Sequence, residues 1–356
     1  MPDAEIEVPK GLAGVVVDKT SIATTDSEGN LVYRGYRVVD LVRKRSFEDV
    51  AYLIVQGKLP NPDERNMFFS KIRSFFGLDK RVISIMEILR EKDIMRNLRS
   101  LVSLYPYVST VEDDLMLEMA AKFPEIISAS YRISHGMQPL HDSEGSYAER
   151  LYYLITGNKD RRKASFLETL MILYMEHEFN ASTFALRVTA STLADPVAAF
   201  TTALGTLKGP LHGGANSEIL DFFDQFEDEE DAVKYVDRTL DKGEKVMGFG
   251  HRVYKRLDPR AQLVKEKLKE LAPDSKMVKI AEAVERRMWE KKSIPANVDF
   301  YAAIYMDLLG IPNDFYTPIF AASRVFGWIA HYREQLQDNK LIRPASKYVG
   351  PRDLTP

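Results

Sequence analysis

A mainly α-helical fold with a small N-terminal β-hairpin is predicted from the positions of the strand and helix patterns. Runs rich in β-branched residues occur near the start of the chain, at residues 12–18, 21–24 and 31–35, with the turn-forming DSEGN between the last two. In the rest of the chain apolar side chains recur at spacings of three and four, as in residues 47–55 and 263–271. Glycines and prolines divide this part into many segments of ordinary helix length.

Two connections that carry glycine and proline predict a division into two domains. The chain has 356 residues, which exceeds the usual length of a single core. The connections are GTLKGPLHGG at 205–214 and LGIPNDFYTP at 309–318. We therefore expect a large domain made of residues 1–213 and 313–356, and a small domain made of residues 214–312. A cleft between two domains is a common place for a substrate.

The composition excludes several classes of protein. The formal net charge is only -3, so there is no basic surface of the kind that binds nucleic acid. The absence of cysteine excludes disulfides, thiolate nucleophiles and zinc–cysteine sites, and it is typical of a cytoplasmic protein. No stretch approaches the roughly 20 apolar residues of a membrane helix. We expect a cytoplasmic enzyme with no nucleic-acid or membrane partner.

His177 is the first of three histidines that lie close to glycine or asparagine. It follows an amphipathic pattern at 166–174 and is expected near the apolar stripe of that helix. A hydrogen-bonded core histidine is the alternative to a functional one. The sequence HEFNA lacks the second histidine of the zinc motif H-E-x-x-H, so no metal site is predicted. Asn180 follows and adds a polar side chain where the helix would otherwise bury apolar surface.

His212 precedes two glycines, Gly213 and Gly214, which allow a ligand to approach the backbone closely. The following ANSEILDFF predicts a helix whose positive N-terminal end would disfavour the imidazolium form. A neutral imidazole could then donate a hydrogen bond to a carbonyl oxygen and stabilise an enolate. The alternatives are a simple turn capped by the histidine and the oxyanion loop of an esterase, but no G-x-S-x-G motif accompanies it.

The stretch GFGHRVYKRLDPR at 248–260 predicts an anion-binding loop followed by a helix. Asp258 is expected to cap that helix and Pro259 to open it. The glycines would expose backbone amides, and the basic side chains would bind a carboxylate or phosphate. The alternative is a solvated basic turn, whereas a dinucleotide-binding loop is excluded because the third glycine is missing. The residues concerned are Gly248, Gly250, His251, Arg252, Lys255 and Arg260.

Three further charged residues are candidates for the site. Asp299 is expected in the first turn of a helix capped by Asn297, where it could be a capping carboxylate or, in a closed cleft, a general base. Arg324 lies within an apolar helix, where it could snorkel to solvent or bind a buried carboxylate of a substrate. Arg343 lies in the tail LIRPASKYVGP, which is long enough to reach a neighbouring subunit.

The order of these motifs resembles the citrate synthase family in its shorter form, typical of archaea and many bacteria. The similarity runs from YRGY at 33–36 through KGPLHGGAN, GFGHRVYKRLDPRA, NVDFY, YTPIFAASRVFGW and IRPASKYVGP, and so covers nearly the whole chain. GFGHRVYKRLDPR is close to the family's signature. The resemblance implies a multi-helical two-domain homodimer that condenses acetyl-CoA with oxaloacetate and water to citrate and CoA, through an enol(ate) and a citryl thioester.

The resemblance also implies roles for the candidate residues. Asp299 would remove a methyl proton, His212 would hydrogen-bond the thioester carbonyl, and His251 would donate to the ketone of oxaloacetate. Residues implied to bind oxaloacetate are His177, Asn180, Arg260, Arg324 and, from the neighbouring subunit, Arg343. Residues implied to contact CoA are Arg252, Lys255, Gly248 and Gly250. No tightly bound cofactor is expected, because the coenzyme A thioester is a substrate.

Two other functions are alternatives to a citrate synthase. A 2-methylcitrate synthase of the same fold uses propionyl-CoA, and one methylene changes discrimination by only about 1 to 3 kcal/mol, so this enzyme or a bifunctional one is an alternative. A non-catalytic helical dimer is the second, and the presence of His212, His251 and Asp299 argues against it. Residues 174–178 read YMEHE where the family often has HADHE, and 94–103 also departs from the family pattern; both bear on substrate preference.

Overall fold

The computed structural model describes residues 7–26, 29–142, 144–214, 218–250, 254 and 257–355. Within these ranges sixteen α-helices account for most of the chain, and three short strands form one small sheet near the N-terminus. The prediction of a mainly α-helical fold with a small N-terminal β element is confirmed.

The small sheet is antiparallel and has one strand more than the predicted hairpin. Its described strands are β1 (Ala23–Thr25), β2 (Leu31–Tyr33) and β3 (Tyr36–Arg37). β1 and β2 correspond to the predicted strands at 21–24 and 31–35. β3 follows β2 after a two-residue turn, in which Arg34 and Gly35 both have positive φ, 46° and 88°. This turn places Tyr33 and the rest of β2 in the middle of the sheet.

The pattern at residues 12–18 does not form a strand, so this part of the strand prediction is wrong. The segment follows a 3-10 helix at Lys10–Leu12 and continues along the surface as irregular chain. Val16 is 88% exposed. β-branched residues favour extended backbone, but an extended segment becomes a strand only when a neighbour pairs with its backbone groups. Among the described residues, no strand pairs with it.

Most of the helices up to Leu207 begin at a residue whose side chain caps the first turn. They are α1 (Val38–Lys44), α2 (Phe47–Gln56), α3 (Pro62–Ser74), α4 (Lys80–Leu89), α5 (Ile94–Leu104), α6 (Glu112–Ser134), α7 (Tyr147–Thr156), α8 (Arg161–Tyr174), α9 (Ala181–Ser191) and α10 (Pro196–Leu207). Ser46 and Asn61 form capping boxes at the starts of α2 and α3. Gly57 and Gly157 end α2 and α7 in the left-handed conformation.

The later helices form a second set. They are α11 (Glu218–Asp224), α12 (Glu229–Asp241), α13 (Pro259–Leu271), α14 (Lys276–Lys292), α15 (Val298–Leu308) and α16 (Tyr316–Gln337). Helices α11 to α15 pack mainly on one another, with α12 against α14 and α13 against α15. They meet the earlier helices where α13 contacts α8 and α1, and there Arg43 lies 3.2 Å from Glu266. The division into two domains at residues 213 and 312 stays a prediction.

Helix α16 lies at the centre of the helical core and is buried along nearly its whole length. It packs against α2, α5, α6, α8, α9 and α10. Its buried side chains are mostly apolar, but they include a guanidinium and an imidazole, those of Arg324 and His331. Arg324 contacts Tyr174, the last residue of α8, and His331 contacts Glu176 in the segment that follows. Since a buried polar group needs a partner, α16 and that segment are the natural place to look for a site.

Candidate active site

The turn between α8 and α9 carries His177 and Asn180. The expectation that His177 lies on the apolar stripe of α8 is wrong, because that helix ends at Tyr174. The hydroxyl of Tyr33 in β2 lies within 3.3 Å of three carbonyl oxygens between residues 172 and 176. Its one proton can serve only one of these acceptors at a time, but its position ties the end of the helix to the sheet just before His177.

The N-terminal sheet supports this turn from a second point. Thr25 in β1 donates a hydrogen bond of 3.0 Å to the carboxylate of Glu178. Glu178 has a φ of +53°, in the left-handed region that costs a residue with a side chain roughly 1 to 2 kcal/mol. The bonds from Tyr33 and Thr25 flank this strained residue. The sheet therefore helps to fix the direction in which His177 projects.

His177 is only 7% exposed and contacts Tyr254. Its Nε2 lies 3.1 Å from the Tyr254 hydroxyl, and the two rings meet edge to face with centroids 5.5 Å apart. Burial raises the pKa of Tyr254 to about 12, so its hydroxyl stays protonated at neutral pH. Because Tyr254 belongs to the basic stretch at 248–260, this contact joins that stretch to the turn after α8.

Asn180 is the N-cap of α9 and lies outside a helix, not within one as its sequence neighbourhood suggested. Its side-chain oxygen accepts from the Thr183 backbone N–H at 3.2 Å and from the Ser182 hydroxyl at 2.9 Å. Its amide group donates to the Thr183 hydroxyl over 2.9 Å. Asn180 therefore sets the first turn of α9, whose N–H groups face the site.

His212 lies on the turn after α10, with its imidazole beside the N-terminus of α9. The backbone N–H of Ser182 points at Nε2 over 3.4 Å, and the Ser182 hydroxyl is 2.9 Å from the same nitrogen. Because a backbone N–H can only donate, the bond from the Ser182 N–H favours the tautomer of the neutral ring that carries its proton on Nδ1. Burial, followed by the charge of Arg324, lowers the pKa of His212 to about 4.

The low pKa of His212 agrees with the predicted neutral imidazole, but the predicted cause, the start of the next helix, falls outside the described residues. The sequence suggested the helix that follows His212. That helix, α11, begins at Glu218, and residues 215–217 lie outside the described part of the chain. The N-terminus that contacts the ring belongs to α9, and its partial positive charge opposes formation of an imidazolium.

Arg324 is buried in α16, with only 1% of its surface exposed. Its Nε donates to the carbonyl oxygen of Tyr174 over 2.8 Å, and its guanidinium stacks on Phe320 at 4.6 Å. Its Nη1 has no hydrogen-bond partner among the described residues. Burial lowers the pKa of Arg324, and the carboxylate of Glu176 opposes that shift. Snorkelling is thus excluded, and the guanidinium offers an unused donor inside the protein.

Arg260 is also buried, in the first turn of α13, and is paired with the residue that caps its helix. Its Nη2 and Nε lie 2.9 and 3.1 Å from the two carboxylate oxygens of Asp258. Burial disfavours its charged form, but Asp258 outweighs this and the pKa of Arg260 is raised. The cap at Asp258 and the start of α13 at Pro259 are confirmed. The solvated basic turn does not describe Arg260.

Asp299 lies in the first turn of α15, as its sequence predicted. The side chain of Asn297 accepts from the backbone N–H groups of Asp299 and Phe300 at 3.1 and 3.3 Å. The carboxylate of Asp258 accepts from the N–H of Val298 at 3.1 Å, so the starts of α13 and α15 are tied together. This bond keeps the helix ends that carry Arg260 and Asp299 next to each other.

Four of the predicted site residues lie around one region. The Asp299 carboxylate acts electrostatically on both Arg260 and Arg324, favouring their charged forms. Arg324 in turn acts on His212 and on Arg260. Arg324 is therefore within electrostatic range of a carboxylate, a second guanidinium group and a neutral imidazole. Such a set can bind a dicarboxylate and can move a proton next to it.

Gly248 and Gly250 are held against the segment before α15. The N–H of Asn297 donates to the Gly248 carbonyl at 2.9 Å, and the N–H of Gly250 donates to the Pro295 carbonyl at 3.0 Å. The amide of Gly250 is therefore not exposed for a ligand, contrary to the expectation. Gly248 has a φ of +78°, and a Cβ there would come within 2.5 Å of the Phe300 ring. Its glycine is required by conformation and by packing.

Four of the sequence candidates are not placed in this region. Arg343 is exposed in the segment after α16. His251, Arg252 and Lys255 lie outside the described residues. The roles of these four side chains stay predictions.

Sequence reasoning assigned no site role to two residues that contact the site, Tyr254 and Ser182. Tyr254 stands among basic side chains, and an aromatic residue in a basic loop is a weak signal for a packed role. Ser182 lies two residues after the Asn180 cap, where the backbone N–H has no partner within its helix. That signal points to an acceptor, but the acceptor, His212, is 30 residues away in the chain.

Two classes of site are not found in the described part of the chain. There, no group of three or more histidine, aspartate or glutamate side chains has a geometry that could hold a metal ion. No described helix is both long and apolar enough to span a bilayer.

A family model described as the C-terminal domain of citrate synthase matches residues 11–345. The chain belongs to the citrate synthase family. Members of this family are acyltransferases, and the resemblance drawn from the motifs is confirmed.

Related sequences in this family have two different names. A citrate synthase from Haloferax volcanii is 39% identical over 98% of this chain and 97% of its own length. A 2-methylcitrate synthase from Shewanella oneidensis is 37% identical over 100% of this chain and 99% of its own. The two relatives are similarly close, so the sequence comparison does not separate the two acyl donors.

Solved citrate synthases share the fold along nearly the full chain. The enzyme from Thermotoga maritima superposes with a TM-score of 0.91 at 38% identity, covering 98% of each chain. The enzyme from Thermoplasma acidophilum, solved as a ternary complex with carboxymethyl coenzyme A and oxaloacetate, gives a TM-score of 0.89 at 33% identity, covering 98% of each chain. The fold of this chain is therefore that of citrate synthases.

Proposed function

We propose that this chain is a citrate synthase that condenses acetyl-CoA with oxaloacetate and water to give citrate and CoA. This proposal is supported by the similarity to proteins named citrate synthase over nearly the whole length of each chain. One of them was solved with oxaloacetate and a coenzyme A derivative. The observation that carries it is the grouping of Asp299, His212, Arg260 and Arg324, in which a buried guanidinium retains an unused donor.

Asp299 is the proposed base that removes a proton from the methyl group of acetyl-CoA. Because a C–H next to a thioester is a weak acid, negative charge that develops on the thioester oxygen must be stabilised. His212 suits this role, since its Nε2 is used by Ser182 and its Nδ1–H can donate to that oxygen. Its low pKa keeps the ring neutral, so it stabilises an enol(ate) without adding a charge of its own.

Oxaloacetate is the proposed ligand of Arg324 and Arg260, with His177 and Asn180 at the edge of the same region. A substrate carboxylate would satisfy the unpartnered Nη1 of Arg324. An ion pair at 4 Å is worth on the order of 4 kcal/mol at an effective dielectric constant of 20. Several such contacts can close the cleft between the two predicted domains and complete the acetyl-CoA site. Binding oxaloacetate first then protects the thioester from premature hydrolysis.

His251 is the proposed donor to the ketone of oxaloacetate during carbon–carbon bond formation. This role rests on its place in the motif GFGHRVYKRLDPR, because the residue lies outside the described part of the chain. The citryl-CoA that forms would be hydrolysed in the same site to citrate and free CoA.

The proposed working unit is a cytoplasmic homodimer in which Arg343 reaches the active site of the neighbouring subunit. An exposed arginine on an irregular segment after α16 is compatible with such a reach. Arg252, Lys255 and the loop with Gly248 and Gly250 are the proposed contacts to CoA, and no cofactor is held between turnovers.

Thiol release with two acyl donors tests the proposed function. The purified protein is mixed with oxaloacetate and either acetyl-CoA or propionyl-CoA, and free CoA is measured with a thiol reagent. We expect release with acetyl-CoA at the higher kcat/KM. A higher kcat/KM with propionyl-CoA would favour the second candidate, a 2-methylcitrate synthase, which the Shewanella oneidensis relative supports. If neither thioester gave thiol, the non-catalytic helical dimer would replace both.

A further inference from the structure

Glu176 and Arg324 are two buried, oppositely charged residues that lie near each other without pairing. Glu176 is fully buried, and its carboxylate is the strongest charge that favours the cationic form of Arg324. Yet Oε2 of Glu176 and Nη1 of Arg324 both lack a hydrogen-bond partner among the described residues. A direct ion pair would satisfy both atoms, and leaving them unsatisfied in a buried place is costly. Something in the fold must therefore keep them apart.

His331 contacts the other oxygen of the Glu176 carboxylate. Its Nε2 lies 2.9 Å from Oε1 of Glu176, and both side chains are fully buried. Gly327, one helical turn before His331 on α16, leaves the space that the carboxylate occupies, because a Cβ there would overlap Oε2. The backbone of Glu176 is fixed as well, since its N–H donates to the Tyr33 hydroxyl at 3.2 Å.

The tautomer of His331 is set by Arg187. Arginine is always a donor, and Nη1 of Arg187 lies 3.3 Å from Nδ1 of His331. Nδ1 therefore accepts, and in the neutral ring the proton is on Nε2, where it is donated to Glu176. Arg187 is itself anchored by Glu334 and Asp18, each at 2.9 Å. A chain of buried polar contacts thus runs from the surface to Glu176.

Arg324 is restrained by two contacts of its own. Its Nε is bonded to the Tyr174 carbonyl at 2.8 Å, and its guanidinium lies against the Phe320 ring. Neither contact uses Nη1. The carboxylate and the guanidinium are each tied to a different partner, so the ion pair between them does not form.

We propose that His331 is a positioning residue that keeps the Glu176 carboxylate off Arg324, so that Nη1 of Arg324 stays open for a carboxylate of the substrate. Glu176 then supplies the buried countercharge for Arg324 without occupying the donor. This inference rests on the proposed function, because it takes oxaloacetate as the ligand of Arg324.

The decisive variant is His331→Phe, which keeps a ring of similar size and removes the donor. The Glu176 carboxylate would then turn towards Arg324 and compete with the substrate. We expect the Kd for oxaloacetate, measured by titration calorimetry, to rise at least tenfold, while kcat at saturating oxaloacetate changes less than threefold. An unchanged Kd in a folded His331→Phe protein would overturn the inference.

A second substitution distinguishes competition between Glu176 and the substrate from a purely structural effect of His331→Phe. Glu176→Gln removes the charge, and its side-chain oxygen can still accept from His331. Because a neutral amide cannot pair with Arg324 as a carboxylate does, the double variant His331→Phe with Glu176→Gln should return to within about threefold of the wild-type Kd. A purely structural role predicts a double variant that binds as weakly as His331→Phe or more weakly, and that outcome would also overturn the inference.

Three further measurements keep the test informative if His331→Phe does not fold. Glu176→Gln alone should bind oxaloacetate as tightly as wild type or more tightly, and a tenfold loss would refute the inference. His331→Gln retains an amide donor and should remain within about threefold. Tyr147→Phe, which removes another buried hydrogen bond at 2.9 Å in the same core, should lower stability without changing this Kd.

The outcomes distinguish this inference from the proposed function. If the wild-type protein neither binds oxaloacetate nor releases thiol, both the proposed function and the inference fail. If the wild-type protein does both and His331→Phe binds oxaloacetate normally, the inference alone fails.

Discussion

The neutral state of His212 makes a quantitative prediction about stability and pH. Its pKa is lowered by burial and by Arg324, from 6.5 to about 4. As pH falls below 6.5 the unfolded chain gains a proton on this residue that the folded chain gains only near pH 4. The folded state therefore loses stability across that window. A shift of 2.5 units corresponds to about 3 kcal/mol at most, and about 2 kcal/mol of it falls between pH 7 and pH 4.5.

The test compares wild type with His212→Gln at equal protein concentration. Glutamine does not titrate, and its side-chain oxygen can accept the N–H of Ser182 that Nε2 accepts in wild type. Free energies of unfolding are measured by urea denaturation between pH 7 and pH 4.5. Other acidic groups titrate in both proteins, so only the difference between the two curves is used. We expect the variant to gain about 2 kcal/mol relative to wild type over this range.

Tyr147→Phe serves as the matched control, because it removes a buried hydrogen bond that involves no group titrating below pH 7. Its curve should run parallel to that of wild type. Should the curve of His212→Gln also run parallel, within about 0.5 kcal/mol, a buried neutral imidazole held by α9 would be rejected.

Three other predictions follow from the same structure. Asp299→Ala should lower kcat at least 10²-fold, as expected for a lost general base. The substitution removes a negative charge near Arg260 and Arg324, so it should not weaken oxaloacetate binding. Normal turnover would reject the role of Asp299. Arg343→Ala should weaken oxaloacetate binding. Mixed dimers with one catalytically dead Asp299→Ala chain and one Arg343→Ala chain would reveal whether the contact crosses subunits, because a crossing contact leaves one fully intact site in such a dimer, whereas a contact within one chain leaves none. Burial, with the charges of neighbouring acids, raises the pKa of Glu168 to about 7, so the contribution of Glu168 to stability is lost as pH rises from 4.5 to 7. The free energy of unfolding of Glu168→Gln should therefore rise by about 2 kcal/mol relative to that of wild type between pH 5 and pH 8. Equal pH dependence of the two proteins in urea denaturation would contradict this.

The fold class and many helix ends could be predicted because their causes are local. The caps at Asp258 and Asn297 were expected from residues one to three positions away, and the structure has both. The strand predicted at 12–18 failed for the opposite reason. Its β-branched pattern is local, but a strand needs a partner, and the sheet offers none there.

The candidate site divides in the same way. Asp299, Arg324, His212 and Arg260 could be selected as chemically suited residues, and the structure places Arg324 within electrostatic range of the other three. Their partners could not be selected. His177 was expected on a helix because the apolar pattern continues to Tyr174. The helix ends there, next to carbonyl oxygens that the hydroxyl of Tyr33, distant in the chain, contacts.

The sequence by itself determined the helical class, the family and the set of acids, bases and cations available for chemistry, because composition, spacing and capping act between near neighbours. Only the tertiary structure decided which of those groups remain unused. The contact between His331 and Glu176 joins residues 155 positions apart, and it leaves a donor of Arg324 open inside the core. Such a contact depends on how helices pack, and packing brings together side chains whose separation along the chain carries no signal of their meeting.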